Sequence, residues 1–140
     1  MDVGLLLLRL VVGALFIGHG AQKLFGAFGG YGLSGIGAFL EQLRFRKGRA
    51  MATLAGVTEL TAGVLLVLGF LTPFAAAGII GVMVSAILTI HLRNGMWNGN
   101  GGMEYPIVMC ASVTAITIAS PGAYAIDGAF DLELAGIAWV

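Results

Sequence analysis

Four apolar runs, separated by short segments rich in glycine, asparagine or arginine, set the pattern of the chain. The first, Val3 to Leu24, is long enough at ~1.5 Å per residue to cross a ~30 Å hydrocarbon layer as a helix. The second is placed at about Ala50 to Leu71 and the third at about Phe74 to Leu92. The fourth starts near Glu104 or Tyr105 and reaches about Ser120, with Pro106 in its first turn, where a missing N–H is harmless. Gly26 to Gly32 cannot stay helical for long. Ser34 then offers an N-cap for a short amphipathic helix, roughly Gly35 to Phe45, with Ile36, Phe39, Leu40 and Leu43 opposite Glu41, Gln42 and Arg44. Thr72 and Pro73 are expected to form a tight turn, and Asn94 to Met103 a loop with Trp97 as interfacial anchor or lid. Pro121-Gly122 stops the fourth run, and the tail from Ala123 is apolar enough to pack back on the bundle.

The expected fold class is therefore all-α: an integral membrane protein, an antiparallel four-helix transmembrane bundle with a short amphipathic surface helix between spans 1 and 2. Short connections force antiparallel neighbours, and no linker divides residues 1–140 into separate domains. Composition agrees. At 59% hydrophobic and 10% charged residues, with mean hydropathy +0.98, the chain lies outside the balance of a soluble domain, so its expected surroundings are the lipid bilayer. Zero net charge and few basic residues argue against nucleic-acid binding. The single cysteine, Cys110, cannot form an internal disulfide, so a redox role requires a bound cofactor or a partner's thiols.

The first run lacks a basic flank and carries Arg9 within it, unlike a cleaved signal peptide, and the expected location is the prokaryotic cytoplasmic (inner) membrane. Arg44, Arg46, Lys47 and Arg49 precede span 2 and Arg93 ends span 3, which puts the basic loops on one side. The other side carries Asp2, Asp127, Asp131 and Glu133. The positive-inside rule then predicts cytoplasmic basic loops and both termini outside.

Charges inside the apolar runs are the candidates for chemistry, because even on lenient scales a central charge costs ~2.5 kcal/mol or more. On a projection at ~100° per residue, Arg9, Gly13, Phe16, Gly20 and Lys23 share a stripe of span 1, with His19 at its margin. That stripe should face protein. The plainer reading is that Arg9 and Lys23 snorkel to opposite headgroup layers. Glu59 shares its face with Ala52, Ala55, Gly56 and Gly63, small residues that let membrane helices approach. A buried network of Arg9, Glu59 and Asp127 is expected, with Arg9 meeting Glu59 or Asp127 and Glu59 otherwise neutral or bonded to His19.

Topology also gathers a candidate ligand-binding cluster on the basic-loop side: His19, Gln22 and Lys23 at the end of span 1, His91 at the end of span 3, and Glu104 and Tyr105 at the start of span 4, roofed by Trp97. Two imidazoles to move protons, an ammonium to stabilise an oxyanion and a carboxyl to take up a proton suit quinone or phenol redox chemistry. The plainer alternative is an interfacial Lys23–Glu104 ion pair with both histidines capping carbonyls. A haem between His19 and His91 is disfavoured, as no Cys-x-x-Cys-His attachment exists, and no spacing such as HExxH supports a metal.

The stretches RLVVGALFIGHGAQKLFGAFGGYGL, AGVTELTAGVLLVLGFLTPFAA and NGGMEYPIV resemble the DoxX family of small four-span membrane proteins over nearly the whole chain. Family positions map onto Arg9, His19, Gly20, Lys23, Glu59, Gly69, Thr72, Pro73, Glu104, Pro106 and Asp127, while GAYAID departs from the family's usual serine before the Leu/Ile-Asp. The resemblance implies kinship with subunits of quinol-oxidising and thiosulfate:quinone oxidoreductase complexes and with proteins linked to quinone tolerance and oxidative or thiol stress. It carries over no catalytic residue. The expectation is a single DoxX-like domain serving as a quinone-linked accessory subunit, its ligand a quinone, with a soluble redox-protein partner on the basic cytoplasmic face and room for a homo-oligomer. The alternative is a non-enzymatic scaffold or small-molecule carrier built on Arg9, Glu59 and Asp127.

Overall fold

In lipid every backbone N–H and C=O must be satisfied internally, which for a chain this apolar leaves helices as the simplest solution. The computed structural model describes residues 2–130, so Asp131 and Glu133 and the rest of the expected tail lie outside the described residues. Helices α1 (Asp2–Phe25), α2 (Gly32–Gln42), α3 (Gly48–Leu68), α4 (Thr72–Ala86), α5 (Glu104–Ala119) and the single turn α6 (Ile126–Ala129) follow one another, with no strand among the described residues. A π-turn at Ile87–His91 and a 3-10 turn at Leu92–Asn94 prolong α4. Among the described residues three helices are long and apolar enough to cross a membrane: α1 with 24 residues, α3 with 21 and the prolonged α4 with 23. The apolar α5 has 16 residues.

The bundle is knit most closely between α1 and α3, which run antiparallel. A Cβ on Gly13 would stand 2.8 Å from the Gly63 carbonyl oxygen, and one on Gly20 would stand 2.8 Å from that of Gly56. Both helices thus present glycines seven residues apart on the contacting face, and their backbones touch where any side chain would hold them off. Helix α4 packs against α3 and α5, and α5 returns towards α1. The core between them draws on all four helices: Val12 and Phe16, Ala62 and Leu66, Ile79 and Met83, Val113 and Ile116. Large apolar side chains on the outer faces, such as Leu7, Val11, Leu54 and Val108, are exposed, as lipid-facing residues should be.

Three local expectations are corrected. Helix α2 starts after Tyr31 rather than at Ser34, which lies inside the helix, and no side chain caps it. It packs on the start of α3, where Gly37 and Gly48 are in backbone contact. The turn between α3 and α4 is made by Gly69, Phe70 and Leu71, with Gly69 and Leu71 left-handed, so Thr72 and Pro73 already belong to α4. The Phe70 amide donates back to the Leu65 carbonyl at 3.0 Å, the wide bond of a glycine-terminated helix.

Substituting Gly13→Val forces the α1 and α3 backbones apart and should lower stability by about 1–3 kcal/mol, the usual result of overpacking. Gly18→Ala, where nothing lies within 4 Å of a Cβ, should instead raise stability by up to about 1 kcal/mol, since alanine favours the helix. Unfolding titrations of the two variants in detergent micelles check the contrast.

Candidate functional site

The end of the bundle near Asp2 is closed by charges that act on backbone. Arg9, 1% exposed, donates from Nη1 to the Pro121 carbonyl at 3.0 Å and from Nη2 to the Tyr124 carbonyl at 2.8 Å. Asp127, 2% exposed, accepts from the Leu71 amide through Oδ1 and from the Thr72 amide through Oδ2, both at 2.8 Å. It caps the start of α4 from 55 residues downstream, satisfying amides that a helix cannot satisfy itself. The Asp127 amide in turn donates to the Gly69 carbonyl at 2.9 Å. A side chain at Gly69 would collide with the Arg9 guanidinium, so this left-handed position needs glycine twice over.

The opposite end holds the candidate site. His19 and Lys23 stand one turn apart on α1, and Lys23 Nζ donates to Glu59 Oε2 at 2.6 Å. Glu59 is 2% exposed while Lys23 keeps 23%, so the carboxylate is sealed in and the ammonium is reachable. His19 Nε2 and the Tyr105 hydroxyl are 3.2 Å apart, with the two rings edge to face. Either atom can carry the shared proton, so the pair can pass one in either direction.

All four of these side chains line a cleft of about 720 Å³ walled by α1, α2, α3, α4 and the start of α5. Its volume falls within the ~300–1,000 Å³ of small-molecule sites. Lys23 has three N–H donors and Glu59 takes one, which leaves others for an oxygen in the cleft. His91 lies at the margin, and its Nδ1 is 2.7 Å from the Gly101 carbonyl oxygen. A carbonyl only accepts, so Nδ1 carries the proton and Nε2 is the basic nitrogen. Thr89 and His91 both reach the cleft wall from the π-turn at Ile87–His91 that prolongs α4.

Of the seven residues singled out for the ligand cluster, the cleft gathers His19, Lys23, His91 and Tyr105. The other three do not line it. Gln22 donates to the Phe28 carbonyl at 3.3 Å, Glu104 accepts from the Asn98 amide at 2.8 Å and so closes the Asn-rich loop, and Trp97 is 68% exposed rather than a roof. Among the described residues neither the expected pairing of Arg9 with Glu59 or Asp127 nor a Lys23–Glu104 pair is found: Glu59 pairs with Lys23, Asp127 takes the Leu71 and Thr72 amides, and Arg9 turns to the Pro121 and Tyr124 carbonyls. Sequence reasoning missed the cleft's apolar wall, to which α2 gives Ile36, Phe39 and Leu40 and α4 gives Gly81, Ser85 and Thr89. The amphipathic pattern of α2 was the signal for the first set; the spacing of small residues on α4 was the signal for the second.

Lys23→Met leaves Glu59 buried without its partner and should destabilise the protein towards the lower end of ~3–5 kcal/mol, because Lys23 is partly exposed. Lys23→Met with Glu59→Leu removes both charges and should recover most of that loss in the same unfolding assay. Asp127→Ala strips two buried amides of their acceptor and should lower stability by about 3 kcal/mol or more. Asp127→Ala should also speed amide hydrogen exchange at Leu71 and Thr72.

Comparison with known proteins fits this membrane architecture. The chain is 28% identical over 119 residues to CatD of Bacillus subtilis (strain 168), a protein named provisionally as an oxidoreductase, spanning 83% of this chain and 80% of CatD. It is 29% identical over 130 residues to an uncharacterized membrane protein of Mycobacterium tuberculosis (strain ATCC 25618 / H37Rv), spanning 86% of this chain and 77% of that one. No solved structure matches at a significant level. The DoxX family model matches residues 4–92, which carry Arg9, His19, Lys23 and Glu59 together with the glycines that join α1 to α3, and the chain belongs to the DoxX family.

Proposed function

We propose that this protein is a quinone-binding membrane subunit that holds the ring of a quinone against His19, Lys23 and Tyr105 and delivers protons as the ring is reduced. The observation that carries the reading is the cleft itself: a mostly apolar space lined by an ion pair whose carboxylate is buried and whose ammonium is reachable, and by a Tyr–His pair. A quinone has the matching form, an apolar ring with two carbonyl oxygens that become hydroxyls. Reduction adds two electrons and two protons, converting both C=O groups to C–OH. The Tyr105–His19 pair can hand one proton to one oxygen and regain it from water at the open side of the cleft, water supplies the second proton to the other oxygen, and the free donors of Lys23 can stabilise the charge that develops meanwhile.

The electrons come from a soluble redox protein docking on the basic loops, where Arg44, Arg46, Lys47, Arg49 and Arg93 are all exposed. The same arginines and lysine orient the chain in a prokaryotic inner membrane with these loops in the cytoplasm and Asp2 outside. The oxidoreductase name of CatD supports a role in redox chemistry. A pure scaffold accounts for Arg9 and Asp127, whose hydrogen bonds go to backbone, but not for a partly exposed Lys23 facing a cleft.

The test is equilibrium binding of a quinone to the protein in lipid nanodiscs. Tyr105→Phe should weaken binding about three- to tenfold, the worth of one hydrogen bond. Gln22→Ala and Trp97→Ala, outside the cleft, should leave binding unchanged. Saturable binding that ignores Tyr105→Phe and His19→Ala alike, or no binding by folded protein, rejects the reading.

A further inference from the structure

We infer that the quinone taken by this cleft carries an apolar tail and enters sideways from the lipid, its tail lying against α2, α3 and α4. This rests on the quinone reading above and names the class of quinone. The ionisable groups of the cleft are His19 and Lys23 of α1, Glu59 of α3, Tyr105 at the start of α5 and His91 at the margin, and most of the rest of its wall, from α2, α3 and α4, is apolar. The remainder is too large and too apolar for a bare ring, which would leave Phe39, Leu40 and Leu54 facing water or lipid across an unfilled space.

The hydroxyls in that part of the wall do not contradict this. Ser85 Oγ donates to the Gly81 carbonyl at 2.8 Å and Thr89 Oγ1 to the Ser85 carbonyl at 2.7 Å. With their protons held by the α4 backbone, these side chains present mainly methyl and methylene surface to an occupant. The mouth of this section is lateral. Leu54 is 62% exposed, Phe39 40% and Met51 37%, on the flank of the bundle that lipid covers. A tail already dissolved in the bilayer can therefore slide in between α2 and α4 without crossing water, carrying its ring to Lys23 and Tyr105.

Gly81 sets the width of this passage. It lines the cleft, and nothing lies within 4 Å of where its Cβ would stand, so a larger residue fits the helix and fills the groove. The experiment compares a tailless quinone with the same ring bearing a ten-carbon alkyl tail, in nanodiscs of quinone-free phospholipid, with affinities corrected for partition into the bilayer. The parent protein should still bind the tailed ring about threefold or more tightly after that correction, a gain that comes from close packing in the groove, since a tail leaving lipid gains nothing from the hydrophobic effect. Gly81→Leu should remove most of that preference, lowering the tailed ring's affinity more than the tailless one's. Gly81→Ala should fall between.

Equal affinity of the parent for both rings overturns the inference, and so does a Gly81→Leu effect on both rings alike or on neither. If the two rings bind equally but remain sensitive to Tyr105→Phe, the tail passage alone fails. If neither ring binds, the quinone reading fails with it.

Discussion

The constraint on which this structure depends is that an ionised group in hydrocarbon persists only where the fold supplies its counterpart. Arg9 is held by two carbonyls, Asp127 by two amides, and Glu59 and Lys23 by each other. The first two arrangements are made to backbone groups and fasten one end of the bundle shut, although Arg9 Nε is left buried without a partner. The third is different, because one member remains partly exposed in a cleft. The chain thus uses the same physical device for two purposes, closure at one end and a chemically equipped opening at the other.

Helix direction explains which charges find each other. Every Cα–Cβ bond leans towards the N-terminus of its own helix. In the antiparallel α1–α3 pair, Gly13 meets Gly63 and Gly20 meets Gly56. Lys23 therefore leans back towards the level of Gly20, Glu59 leans back towards the level of Gly56, and the two converge. Arg9 leans the same way as Lys23, towards Asp2, but it starts on the Asp2 side of the level of Glu59, so it points away from Glu59 and reaches the 121–124 segment. The glycine contacts fix the register, and the register fixes the ion pair.

Much of the fold was legible in the sequence, because apolar runs bounded by glycine and proline define membrane helices directly: α1, α3, the prolonged α4 and α5 fall within a few residues of expectation. The amphipathic α2 was legible too, but not its role as a wall of the cleft, which depends on the Gly37–Gly48 contact with α3. Of the candidate site, His19, Lys23, His91 and Tyr105 were traceable to topology alone, which brings helix ends together on one side. Gln22, Trp97 and Glu104 lie close by in sequence yet serve the loops, since sequence position gives the end of a helix but not the direction of a side chain beyond it. Glu59 meets Lys23 rather than Arg9 or His19 because the lean of the side chains, which position along a run does not show, brings the two together.

Everything proposed for the cleft begins from the Lys23–Glu59 contact, so a direct distance between them is the most telling measurement. In bilayers of protein labelled with 15N at lysine side chains and 13C at glutamate carboxyls, solid-state NMR reads the dipolar coupling between Nζ and the carboxyl carbon. A hydrogen-bonded separation of 2.6 Å between nitrogen and oxygen implies a strong coupling, lost in Glu59→Gln. A full set of lysine and glutamate resonances with no such coupling would contradict the account.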